Sequence, residues 1–177
     1  MDLLDFEAQP LYFEDALSDE VQALLQVAAQ SYGEDQAEIS LMRAYFLEPE
    51  HLTVLVALYR YFYYQNRYDE ALLIAERAME VVARRLELRC SWQQLTLESL
   101  GIGIMNSMTL TRFYLMALKG SCYLQLRMGE ISNGLARLEK VAELDSDDRI
   151  GVHSLVRLAR DEQRRQSLSE YTNVVCL

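Results

Sequence analysis

Glycine and proline are scarce, at 7 and 2 of 177 residues. A many-turned β fold needs such residues at short intervals, so that class is excluded at the outset. Cysteine occurs three times, at Cys90, Cys122 and Cys176, with no short spacing. That pattern argues against a disulfide framework and fits reduced thiols in a cytoplasmic protein. His51 and His153 are the only histidines, and neither lies near another ligand at metal spacing, so no metal is expected. G-x-S-x-G, Walker A and H-E-x-x-H are missing, and Gly101-Ile-Gly103 has neither a preceding strand nor a third glycine. Without a catalytic constellation or a cofactor motif, the chain reads as a non-enzyme that needs no cofactor.

Positive charge is absent before Arg43. Asp2, Asp5, Glu7, Glu14, Asp15, Asp19, Glu20, Glu34, Asp35 and Glu38 account for the whole net charge of −10, because 17 basic and 17 acidic residues balance from Arg43 onward. Such an end disfavours nucleic acid and anionic membranes and favours a basic protein segment. Met1-Asp2-Leu3-Leu4-Asp5 lacks the regions of a secretory signal, and the apolar stretch 99–118 is interrupted by Asn106 and Arg112. Neither a signal peptide nor a membrane span is expected.

What the chain does have is helical periodicity. Val21, Leu24, Leu25 and Ala28 recur at i, i+3, i+4 and i+7 behind Ser18 as N-cap. Ala37, Leu41, Ala44 and Leu47 mark a second helix that ends near Pro49. Leu55, Leu58, Tyr59 and Phe62 form a third, and Ala71, Ala75, Ala78 and Val82 a fourth with no stop signal until about Cys90. Sustained strand alternation is missing, so the chain reads as all-α, built of antiparallel helix pairs.

The pairs resemble one another. Ala37-Glu-Ile-Ser-Leu41-Met-Arg-Ala44-Tyr-Phe-Leu47-Glu-Pro49 has a small residue, a large apolar one, a second small one and an exit proline. Tyr68-Asp-Glu70-Ala71-Leu72-Leu-Ile-Ala75-Glu-Arg-Ala78 repeats it about 34 positions on. Gly120-Ser-Cys-Tyr123-Leu-Gln-Leu126 followed by Gly129 to Asp145 gives a third copy. This pattern resembles the tetratricopeptide repeat (TPR) family. The resemblance implies one domain over 1–177, a right-handed superhelix of antiparallel pairs. Its copies fall at about 18–51, 52–85 and 113–146, with an insert at 90–111, a capping helix at 149–165 and a tail at 166–177. Val21 and Leu25 replace an aromatic and a glycine, and Ser146 replaces the last proline.

Cys90 to Thr111 carries one charge, Glu98, among Trp92, Leu95, Leu97, Leu100, Ile102, Ile104, Met105 and Met108. It either covers the stack, with a short helix near 92–100, or forms a partner-facing or homodimer patch. Ile150, Leu155, Leu158 and Ala159 give the arginine-bearing cap that a solenoid needs on its last seam.

In the resembled family the first helix of each pair lines a concave groove. Carried over, this implies Gln22, Gln26 and Gln30 from the first copy, and Val56, Arg60, Tyr63 and Tyr64 from the second. The third contributes Tyr114, Ala117, Ser121, Leu124 and Gln125. Tyr59 and Phe62 fall on the other side of their helix and should turn into the stack. The implied function is an adaptor that binds a peptide or helix of a partner protein. The alternatives are a small secretion-type chaperone for an export client and a self-associating structural subunit.

Overall fold

The computed structural model describes residues 15–175, with side chains through Leu168. The expectations placed on residues 1–14, and on Cys176, lie outside the described residues. Eight α-helices and no strand are found among the described residues: α1 (Asp19–Gln30), α2 (Asp35–Leu47), α3 (Leu52–Tyr64), α4 (Tyr68–Arg85), α5 (Leu97–Asn106), α6 (Met108–Arg127), α7 (Ile131–Leu144) and α8 (His153–Val175). The chain is all-α. Consecutive helices pair as α1/α2, α3/α4 and α6/α7, while α2 meets α3, α4 meets α6 and α7 meets α8. α5 lies along α6, and a one-turn 3-10 helix, Trp92–Gln94, rests on α7.

Local chemistry sets the helix ends. The Ser18 hydroxyl accepts from Val21 N and donates to Glu48 Oε1 at 2.5 Å, tying the start of α1 to the end of α2. That bond holds the Glu48 carboxyl below the usual carboxylate range. His51 opens α3: its Nδ1 accepts from Thr53 N at 3.2 Å, which leaves Nε2 to donate to the Asp15 carbonyl at 3.1 Å. Asn66 closes the same helix in the left-handed region (φ 58°), and Arg67 N reaches Phe62 O at 2.9 Å.

Several boundaries differ from expectation. α4 ends at Arg85 rather than near Cys90, because Glu87 turns left-handed (φ 58°) and Leu88 N returns to Ala83 O. Arg84 and Arg85 occupy its last turn, where cations complement the helix dipole. The helix in the insert is α5, shifted C-terminally from 92–100 by a reciprocal cap between Thr96 and Ser99. Ser107 ends α5 and caps α6, so α6 starts at Met108, within the expected insert. The final helix starts at His153, since Asp148 Oδ1 accepts from Val152 N and His153 N at 2.6 and 3.1 Å. It then runs through most of the expected tail, to Val175.

The core is continuous from Val21 to Ala159 and includes the expected small residues Ala37, Ala44, Ala71 and Ala78. Burial pushes the Cys122 thiol up from near 9 to about 12 and the Tyr114 phenol up from 10 to about 12. Both stay neutral in the fold after the unfolded chain has ionised. Their contribution to stability is therefore complete below pH 9 and lost as pH rises toward 12, at up to about 1.4 kcal/mol per pH unit per group. Urea titrations from pH 8 to 11 should show this decline, and Cys122→Ala should flatten its first part.

Candidate functional site

The aromatic run Tyr59 to Tyr64 divides around α3. Tyr59 and Phe62 are buried as expected, and Tyr61 is buried beside them. Tyr64 is half exposed and meets Tyr32, which stands just past α1, edge-on at 6.5 Å. Tyr32 also meets Tyr61 edge-on at 6.0 Å. These rings, with Leu25, Ala28, Ala29, Leu41, Ala57 and Arg60, line an open cleft of about 690 Å³ between the first two helix pairs. The cleft exists because Ala28, Ala29 and Ala57 put small side chains where the facing helices would otherwise fill the gap.

Its electrostatics are specific. Tyr61 Oη lies 3.4 Å from Glu38 Oε2, and the same oxygen receives Arg67 Nη1 at 2.7 Å. Arg67 also donates to Glu70 and lies over the Phe62 ring at 4.6 Å. Burial first, then the Glu38 charge, raises the Tyr61 pKa, while burial and Tyr64 raise that of Tyr32. Both phenols therefore remain neutral donors at physiological pH.

Tyr63 turns toward α4 and α6. It stacks on Tyr59 at 6.2 Å and meets Tyr68 and Tyr123 at 6.0 and 6.2 Å. Arg127 closes this end, donating to Tyr68 Oη at 2.6 Å and Tyr123 Oη at 3.3 Å. Tyrosines thus run from the end of α1 across α3 to α6.

The α6 part of the implied groove needs correction. Tyr114, Leu124 and Gln125 are buried, as are Ala117 and Ser121, so they offer no surface to a partner. Ser121 accepts from Arg137 at 2.9 Å, and Gln125 donates to Glu130 at 3.3 Å. That side of α6 is committed to α7 and the insert. Packing on both α4 and α7 fixes the rotation of α6, and the side turned to the tyrosines carries Tyr123 and Arg127. Val56 is also buried, though on α3. Gln22 and Gln26 are exposed but do not line the cleft, whereas Arg60 and Tyr64 do.

Tyr32 and Arg127 were missed. Tyr32 lies four residues beyond Ala28 and seven beyond Leu25, which puts it on their face of the helix, but Ser31 already ends α1.

Comparison with known proteins finds a relative of this chain. The uncharacterized 19.8 kDa protein in the nifW 5′ region of Azotobacter chroococcum mcd 1 is 47% identical to it over 156 residues. The match covers 88% of this chain and 87% of that protein. The chain belongs to that protein's family. No family model matches it, and no solved structure does. Among the described residues, no three or more His, Cys, Asp or Glu side chains are grouped to hold a metal ion, and no helix is long and apolar enough to cross a membrane.

Proposed function

We propose that the protein is a TPR-like superhelical adaptor whose tyrosine cleft binds an extended or helical segment of a partner protein. The observation that carries this reading is the open cleft between the first two pairs, floored by alanines and walled by half-exposed Tyr32 and Tyr64. Rigid aromatics offer contact area at small entropic cost, and the apolar floor accepts a branched or aromatic anchor. Arg60 and the tyrosine hydroxyls at the rim hold the segment's carbonyls or a carboxylate. The repeat supports the superhelix: α1 and α3 start at Asp19 and Leu52, and α2 and α4 at Asp35 and Tyr68, 33 residues apart in both cases. The reading keeps the protein in the cytoplasm with a protein partner.

A second reading, self-association through the insert, is favoured by one observation. Leu97, Ile102, Met105 and Met108 of α5 and the start of α6 stay exposed, although Leu95 and Leu100 beside them cover the core.

One experiment tests both. A photo-crosslinking amino acid at position 64 in the native host should capture a partner protein, and the same group at position 105 should capture the chain itself if the insert dimerises. The relative lies in the 5′ region of nifW, so the nifW product is the first partner to try. With the captured partner purified, Arg60→Ala combined with Tyr64→Ala should weaken binding by about tenfold or more at unchanged helicity. Unchanged affinity would sink the groove reading.

A further inference from the structure

In the last pair α7 is covered by α8. In the first pair α2 packs on α1 and α3, with Ala37, Leu41 and Ala44 turned into the core. The opposite side of α2 carries Ile39, Met42 and Phe46 at i, i+3 and i+7, and they are 54%, 45% and 86% exposed. Three large apolar side chains in line are the pattern a docked helix covers, and they are costly to leave in water.

The charge around the stripe indicates what covers it. Glu20, Asp35 and Glu38 flank it; Arg43 lies 3.8 Å from Glu20 and Arg67 reaches Glu38 at 2.7 Å, which leaves Asp35 and a net acidic rim. Lys and Arg are absent from the first 42 residues. A second copy would set two such acidic ends against each other, so self-association at this face is opposed by charge. A helix with an apolar stripe and a Lys/Arg face meets both features.

We propose that the outer face of α2 is a second docking surface, separate from the tyrosine cleft, which takes a basic amphipathic helix of a partner protein. Phe46, the most exposed of the three, is the main anchor, inserted between apolar residues one helical turn apart on the incoming helix. The acids at the rim steer its approach and pair with its basic flanks.

The test uses the full chain and two labelled synthetic helices of about 18 residues, with the same leucine stripe but with lysines or glutamates on the polar face. By fluorescence anisotropy at low salt, the lysine helix should bind about tenfold or more tightly than the glutamate helix, and high salt should erode the difference. Phe46→Asp adds a negative charge, so attraction by charge alone would strengthen. The proposal requires instead a loss of about fivefold or more, because the anchor is gone. Tyr64→Ala should leave this binding unchanged, which separates failure here from failure of the cleft reading. Equal binding of both helices overturns the proposal. So does an unaffected Phe46→Asp variant of native helicity, or a concentration-dependent dimer that Phe46→Asp dissociates.

Discussion

Replacing Gly134 with valine is expected to cost about 3 kcal/mol, near the upper end for overfilling a packed contact. Gly134 is buried in α7 where it crosses α6, and a Cβ there would stand 3.0 Å from the Cys122 carbonyl oxygen and 2.9 Å from Leu126 Cδ2. The leucine methyl can move, but the carbonyl belongs to the backbone of α6 and cannot yield without separating the helices. In an exposed helix, replacing glycine would instead gain up to about 1 kcal/mol of propensity. Gly101 in α5 provides that contrast, since nothing lies within 4 Å of its would-be Cβ. Gly101→Ala should therefore raise the urea midpoint slightly, while Gly134→Val should lower Tm by about 10 °C. If both variants moved the same way, the close approach of α6 and α7 would be wrong.

Arg137→Ala is the second large effect, and it acts on the insert. The guanidinium is 10% exposed, donates to Ser121 Oγ at 2.9 Å and to Glu76, and lies 5.2 Å from the Trp92 ring. One side chain thereby joins α7, α6, α4 and the 3-10 turn. Removing one partner of a buried pair costs about 3–5 kcal/mol, but Glu76 is 40% exposed and can rehydrate, so about 2–3 kcal/mol is expected. Ser121 keeps its bond to Leu118 O, which limits the loss further. Trp92 is the only tryptophan, so its emission reports the site directly. It should shift to the red, with faster hydrogen exchange at residues 92–96, before any global unfolding. Arg137→Lys should rescue poorly, because an ammonium cannot reach two partners in the plane of a guanidinium. Unchanged emission and exchange would show that the insert is held by its own apolar contacts alone.

Both variants act at contacts between helices, and the divide between local and tertiary contacts limits what could be read from the sequence. The order of helices α1 to α4 was legible because Ser18 and Pro49 are local signals. Apolar spacing at i, i+3 and i+4 likewise needs no partner to be recognised. Tyr59 and Phe62 were placed in the core by helix geometry alone. The ends of α4 and α8 were not legible. A left-handed Glu87 and an Asp148 that accepts two backbone N–H groups leave little trace in composition.

By itself the sequence determined an all-α chain of helix pairs, an acidic end followed by a neutral remainder, and an apolar insert. Periodicity and charge are properties of neighbouring residues, so no tertiary information was needed. Only the tertiary structure decided which face of each helix reaches solvent. Tyr114, Leu124 and Gln125 left the groove because α6 is turned by two neighbours, and Tyr123 and Arg127 took their place beside Tyr63. A rotation of half a turn changes no local pattern, yet it exchanges every side chain between core and surface. Equally, the stripe of Ile39, Met42 and Phe46 reads as ordinary helix until α2 packs on α1 and α3 with that side turned away from both, exposed among the described residues.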